Sequence, residues 1–208
     1  MESVDQQPGP CARAVGYSVI LPPSWAKIPL RNGTDAAVRR ILDRSFAGFS
    51  RDQVAQQRHE LRERLGKLIA SAKSNAGLDL YLPVELMRGL AVPASFLVSE
   101  GAFDAGPETP PEEIVAVLAA RGADASLTEV DGAIGVRQDK IVPPDRARDI
   151  QYGSRHVDYT LAVPGDTRRW LVIAFSTIGA GDPGDDIAQL LTGLFDAVMT
   201  TFRWRHAQ

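Results

Sequence analysis

The sequence contains little of what marks secreted, membrane-bound or metal-dependent proteins. Cys11 is the only cysteine, so no internal disulfide can form, which suits a reducing compartment. No run of residues approaches the length and apolar character of a membrane-spanning helix. Residues 1–10 also lack the basic start and apolar run of a signal peptide. We therefore expect a cytoplasmic protein that does not associate with a membrane.

Charge and histidine content give no sign of a common catalytic or nucleic-acid-binding class. The formal net charge is -3, which gives no electrostatic reason to expect nucleic acid as a partner. The three histidines, His59, His156 and His206, show no metal-ligand spacing, and no G-x-S-x-G motif is present. The sequence therefore predicts no cofactor and no metal. It leaves enzymatic activity open and favours its absence.

One motif matches a nucleotide-binding pattern. Gly179, Gly181 and Gly184 fit G-x-G-x-x-G, between a buried-looking strand and a long amphipathic helix. However, the turn carries three aspartates and no basic residue, and these carboxylates would repel a pyrophosphate. Asp182 is a suitable N-cap and Pro183 a suitable first helical residue. The pattern therefore predicts a capped helix start, without a bound phosphate.

Alternating apolar residues and turn signals predict several antiparallel strands. Asp131-Gly132 is a strong hairpin signal, and Pro164–Thr167 predicts a second hairpin. Pro29 makes the segment around Trp25 and Ile28 typical of an edge strand. The other predicted strands are 16–21, 78–82, 90–98, 125–130, 134–142, 156–163 and 169–176.

Four segments show helical patterns. Thr34 is expected to cap the first, and a Ser50/Gln53 capping box the second, which has one strongly charged face. Pro110 or Pro111 begins the third. The last helix carries a wide apolar stripe formed by Ile187, Leu190, Leu191, Leu194, Phe195, Val198 and Phe202. After it, residues 203–206 are expected to be a frayed helix end with Trp204 packed on the body.

The order of these elements predicts an α+β fold, in which a mainly antiparallel sheet packs against amphipathic helices. The terminal helix should lie flat across the sheet, because its apolar stripe needs a surface to cover. Trp25 and Trp170 are expected in the core. Residues 1–14 are interpreted as a disordered lead-in, and residues 15–208 as a single α+β domain.

The segment Gly16–Trp25, with its strand followed by Leu-Pro-Pro-Ser-Trp, resembles the start of PsbP-like domains. The closing strand and helix, Trp170–Phe175 followed by Leu190–Phe202, are similar to the end of those domains. This fold group includes the thylakoid PsbP subunit, a Ran-binding nuclear import factor and LpqN-type actinobacterial lipoproteins. The resemblance implies a non-enzymatic module that binds a partner. Alanine-, arginine- and glycine-rich usage also indicates an actinobacterial source.

Two functional hypotheses follow. The first is a protein-binding module, such as an adaptor, chaperone or immunity-like protein, whose contact surfaces are the charged helix 51–67 and the acidic loop 101–112. Its candidate contact residues are Arg58 and Arg62. The second is a small-molecule binding protein or enzyme that uses the loop 144–156. There Arg148, Arg155 and His156 are the candidates, because clustered arginines bind anionic substrates.

Overall fold

A computed structural model of the chain describes residues 13–50, 52–87, 89, 91–103, 109–122, 124–145 and 151–207. The predicted lead-in, residues 1–14, lies outside these ranges except for its last two residues. Ala14 already belongs to the first strand, so this strand begins one residue before the predicted domain boundary. Arg148 and residues 104–108 of the acidic loop lie outside the described residues.

The described residues form nine strands and four helices. In chain order these are β1 (Ala14–Ser18), β2 (Trp25–Pro29), α1 (Thr34–Ser45), α2 (Ala55–Ser74), β3 (Gly77–Pro83), β4 (Ala94–Gly101), α3 (Pro111–Arg121), β5 (Ala125–Val130), β6 (Ala133–Val142), β7 (Ser154–Val163), β8 (Asp166–Thr177), α4 (Asp186–Thr200) and β9 (Arg203–His206). This composition confirms the predicted α+β class.

Seven strands form one antiparallel sheet, in the order β2-β3-β4-β8-β7-β6-β5, and β1 pairs with β9 in a separate two-stranded ribbon. The hairpin predicted at Asp131-Gly132 is confirmed. Both residues have positive φ values, 49° and 76°, as a two-residue hairpin turn of this type requires. β2 lies at one edge of the sheet, as Pro29 predicted.

One face of the sheet is covered by α4 and by the ribbon β1–β9. Phe195 of α4 is central to this core, since its ring lies 4.8 Å from the ring of Phe175 and 5.5 Å from that of Phe96. Trp204 of β9 is buried in the same cluster. The terminal helix therefore lies flat on the sheet, as its apolar stripe predicted.

The other face carries two smaller cores. Helices α1 and α2 cover β2 and β3, with Leu42 and Leu65 buried against Ile28. Helix α3 covers the opposite end of the sheet, where Val115 packs with Trp170. Because strand residues alternate between faces, neighbouring residues of β8 serve different cores: Trp170 faces α3 and Leu171 faces α4.

Several local predictions were wrong. Ile187 and Leu190 were expected in the buried stripe of α4, but Leu190 is 73% exposed, because the helix turns this part of its stripe away from the sheet. Residues 203–206 form β9 rather than a frayed helix end, although Trp204 is packed as expected. The gain of main-chain hydrogen bonds to β1 explains the extended conformation.

The predicted caps of the first two helices were also wrong. Helix α1 begins after Gly33, and the hydroxyl of Thr34 instead donates to the carbonyl oxygen of Pro29 at 2.7 Å. The Ser50 amide does donate to the side chain of Gln53, but α2 begins only at Ala55. Across the described residues, no helix combines the length and the hydropathy needed to cross a bilayer.

Candidate functional site

The glycine-rich turn before α4 is filled by a carboxylate of the chain itself. Asp185 accepts hydrogen bonds from the amides of Ala188 at 2.6 Å and Ala180 at 2.7 Å. These backbone hydrogen bonds lower the pKa of Asp185. The amides that would hold a phosphate are therefore already bound to an anion. The capped helix start is confirmed, but the capping residue is Asp185, and the prediction of Asp182 was wrong.

Arg155, one of the predicted ligand-binding residues, belongs to an ion-pair network. It donates two hydrogen bonds to Asp139, both at 2.9 Å. Next to this pair, Arg137 makes a two-bond contact with Asp196 of α4, which also accepts from the hydroxyl of Tyr159. The hydrogen bond from Arg155 lowers the pKa of Asp139. The network joins α4 to β6 and β7, so its groups are engaged in the fold.

His156 lies on the opposite face of β7. Its Nε2 atom lies 2.8 Å from the hydroxyl oxygen of Ser154, and it pairs across the sheet with Lys140. Asp158, the carboxylate expected to orient the imidazole, accepts from Lys140 at 2.9 Å. Burial lowers the pKa of His156, and the charge of Lys140 adds to this effect against that of Asp158. The structure thus places the imidazole and the carboxylate on one face without a bond between them.

The predicted contact residues of α2 lie at two different places. Arg58 forms an ion pair with Asp43 at 2.6 Å, which joins α2 to α1. Arg62 lines a groove of about 480 Å³ between these two helices, together with Lys67 and Lys73. The structure does not bring Arg58 or Arg62 together with Arg155 or His156, since α2 covers the opposite end of the sheet from β7.

A longer groove, absent from the sequence predictions, follows the outer edge of β2. Its first hollow, of about 360 Å³, lies between β2 and α1. A second hollow, of about 430 Å³, continues towards residues 83–86 and 91–92 and shares Arg44 and Val84 with the first. We refer to the two hollows together as the edge groove. Its apolar lining includes Trp25, Ile41, Val84, Leu86 and Val92.

Main-chain groups of β2 face this groove. The carbonyl oxygen of Ser24 accepts from the amide of Val84, and the amide of Leu30 donates to the carbonyl oxygen of Leu78. Because main-chain groups alternate in direction along a strand, the even-numbered residues of β2 direct their amide and carbonyl groups towards β3. Trp25, Lys27 and Pro29 therefore point theirs outwards. Within the described part of the chain, nothing pairs with the amide or carbonyl of Lys27. A short stretch of open strand edge remains there.

The edge groove is positively charged at its first hollow. Lys27, Arg40 and Arg44 line it, and none of the acidic residues that the structure describes does. Arg44 is paired with Glu85 and Lys27 with Asp79, whereas Arg40 makes no ion pair with any described residue. Sequence patterns could identify β2 as an edge strand from Pro29, but they could not show which helix lies beside it.

The described residues bring no three histidine, cysteine or acidic side chains together as a metal site. No family model matches the chain, and no curated protein matches it. One solved structure to which it is similar is a crystal structure from Bacteroides thetaiotaomicron VPI-5482, with a TM-score of 0.38 and 11% identity. The match covers 61% of this chain and 38% of that one. So weak a likeness supports no inference about function.

Proposed function

We propose that this chain is a non-enzymatic protein-binding module that docks an extended, acidic segment of another protein in the edge groove. The observation that carries the proposal is the open main chain of Lys27 beside an apolar groove lined with basic residues. Partner segments commonly bind in this way, by adding a strand to an exposed sheet edge. The resemblance of the chain ends to PsbP-like domains supports the same proposal, because it implies a partner-binding module.

The edge itself limits what can bind. The amide of Trp25 donates to the carbonyl oxygen of Pro22. Pro29 has no amide hydrogen, and its carbonyl oxygen accepts from the hydroxyl of Thr34. Such features also protect natural edges from uncontrolled pairing. With respect to the described residues, the carbonyl of Trp25 and both main-chain groups of Lys27 are what remains of this edge for a partner. Pairing is therefore restricted to two or three residues, and side chains in the groove must provide the rest of the affinity.

The positive charge of the edge groove determines which sequences the partner segment can have. The guanidinium of Arg40 is the cation at the first hollow that no described carboxylate neutralises. An acidic residue of the partner can pair with it, while neighbouring apolar residues contact Ile41 and Val84. We thus expect segments that alternate acidic and apolar residues.

The alternative, a small-molecule site in the loop 144–156, has less support. Arg155 is bound by Asp139, and Asp158 by Lys140, so neither group is available to a substrate without breaking an ion pair. Arg148 lies outside the described residues. The cytoplasmic location and the actinobacterial source stay predictions from composition.

Selection from a library of random linear peptides tests the proposal. The selected peptides should be enriched in alternating acidic and apolar residues. Arg40→Glu should weaken their binding by about tenfold or more, because it places like charges together. Arg39→Glu is the matched control, since Arg39 is also exposed on α1 but does not line the groove. Peptides without acidic enrichment, or equal loss in both variants, would overturn the proposal.

A further inference from the structure

A second cavity lies on the other side of β2, between the ribbon β1–β9 and the main sheet. Its volume is about 170 Å³, and we refer to it as the ribbon pocket. Charged residues dominate its polar lining: Lys27, Arg31, Asp79, Glu100, Arg169 and Arg205. Leu171 and Trp204 form part of its apolar wall. Among the described residues, four cations therefore meet two carboxylates in one small cavity, which leaves a surplus of two positive charges.

Both carboxylates of the ribbon pocket are already fully engaged. Asp79 accepts from Lys27 at 2.9 Å and also from the hydroxyl of Tyr17. Burial, above all, raises the pKa of Tyr17, so this hydroxyl stays protonated and remains a donor. Although burial opposes it, hydrogen bonding to Asp79 raises the pKa of Lys27. Lys27 and Asp79 therefore neutralise each other, and the surplus positive charge comes from the other residues of the pocket.

Glu100 holds two arginines at the other half of the pocket. One oxygen accepts from Arg31 at 2.7 Å and the other from Arg169 at 2.9 Å. Burial raises the pKa of Glu100, but these two arginines outweigh it and lower the pKa overall. Each guanidinium contributes one terminal nitrogen to this contact, although it carries five N–H donors. No described residue other than Glu100 accepts from these two side chains, so the remaining donors are left for another acceptor.

Arg205 supplies the third guanidinium, from the ribbon. Its Nε donates to the carbonyl oxygen of Tyr17 at 3.1 Å, which fixes the side chain over the pocket. A gain in folding stability does not explain why these three arginines lie together. Exposed ion pairs contribute little to the free energy of folding, and three clustered guanidiniums repel one another. Arginine is the side chain best suited to binding planar or tetrahedral oxyanions.

We infer that the ribbon pocket binds a small dianionic oxyanion, either a phosphate group or a short dicarboxylate, held by Arg31, Arg169 and Arg205. The two negative charges of such an anion would neutralise the surplus of two positive charges among the described residues of the pocket. The cavity has room for about five or six water molecules, at about 30 Å³ each, so a phosphate group or a short dicarboxylate fits within it. Arg31 and Arg169 keep 63% and 42% of their side-chain surface exposed, so the anion can enter from solvent.

Calorimetric titration of the full chain with three anions tests the inference: inorganic phosphate, glycerol phosphate and succinate. At least one should bind saturably, and acetate and glycerol should bind at least about tenfold more weakly. Tighter binding of glycerol phosphate than of inorganic phosphate identifies a phosphate ester as the ligand. Tightest binding of succinate identifies a dicarboxylate. Tryptophan fluorescence should change in parallel, because Trp204 lines the pocket.

Substitutions identify the site. Arg31→Gln, Arg169→Gln and Arg205→Gln should each weaken binding by about tenfold. Arg168→Gln is the control, since it removes an exposed arginine next to Arg169 that does not line the pocket. Thermal unfolding shows which variants remain folded, and Arg31→Gln alters a mainly exposed side chain in a loop. No saturable binding of any of the three anions, or equal weakening by Arg168→Gln, would overturn the inference.

This site does not depend on the edge groove, but Lys27 lines both cavities. The substitutions above therefore avoid Lys27. A chain that binds acidic peptides but none of the three anions would support the edge groove and refute the ribbon pocket. A chain that binds at least one of the three anions but no acidic peptide would support the ribbon pocket and refute the edge groove.

Discussion

Replacing Phe195 with alanine should remove the main contact that holds α4 on the sheet. The side chain is 2% exposed, and its ring lies within 6 Å of the rings of Phe96, Tyr159 and Phe175, at 5.5, 5.7 and 4.8 Å. A buried Phe→Ala change loses transfer free energy and leaves a cavity, at a cost of about 3–5 kcal/mol. For a chain of this length, the melting temperature should fall by roughly 6–20 °C.

Urea unfolding followed by circular dichroism measures the loss, and Leu190→Ala is the matched control. Leu190 lies on the same helix but is 73% exposed, and alanine has the higher helix propensity. The control should therefore change the free energy of unfolding by less than about 0.5 kcal/mol. Equal effects of the two substitutions would refute the packing of α4 described above.

Three further predictions concern the sheet. Gly135→Ala should destabilise the fold by about 1–3 kcal/mol, because a Cβ atom there would lie 2.3 Å from the carbonyl oxygen of Thr160; unfolding titrations check this. Arg155 lowers the pKa of Asp139, so the stability that Asp139 contributes is present above about pH 4 and is lost as pH falls through the lowered pKa. The stability difference between wild type and Asp139→Asn should therefore narrow in acid. Burial lowers the pKa of His156, so wild type should lose stability as pH falls below about 6.5, and His156→Gln should lose less.

The sequence predicted the sheet because its signals are local. Asp131-Gly132 specifies a two-residue turn by its backbone preferences alone, and the flanking strands pair directly across it. The apolar stripe of α4 likewise predicts by itself that the helix packs on an apolar surface. Phe195 and Val198 of this stripe are buried, as expected. Such features need no knowledge of distant residues.

Pairing between distant segments was beyond sequence reasoning. Ser18 of β1 pairs with Arg203 of β9, and the four residues of β9 are too short to show a strand period with certainty. A signal was present, because Trp204 is buried between the exposed Arg203 and Arg205. Alternation of this kind is typical of a strand, but the preceding helical pattern favours continuation of the helix.

The candidate sites were the least predictable part. Arg155 is attractive in the sequence because arginines are clustered nearby, yet Asp139 engages it across the sheet. The edge groove and the ribbon pocket join residues from β2, α1, β4, β8 and β9, whose adjacency follows only from strand order. Charge alone could not identify Arg31 or Arg205 as neighbours.

Amide hydrogen exchange of Lys27 tests most directly whether a partner segment adds a strand to β2. In the free chain this amide has no partner among the described residues, whereas the neighbouring amide of Ile28 faces β3 and serves as an internal reference. With a selected acidic peptide bound, exchange at Lys27 should slow by about a hundredfold, since a hydrogen bond of some 3 kcal/mol opening free energy would protect it. If the Lys27 amide exchanges as fast with saturating peptide as in the free chain, the result would contradict strand addition.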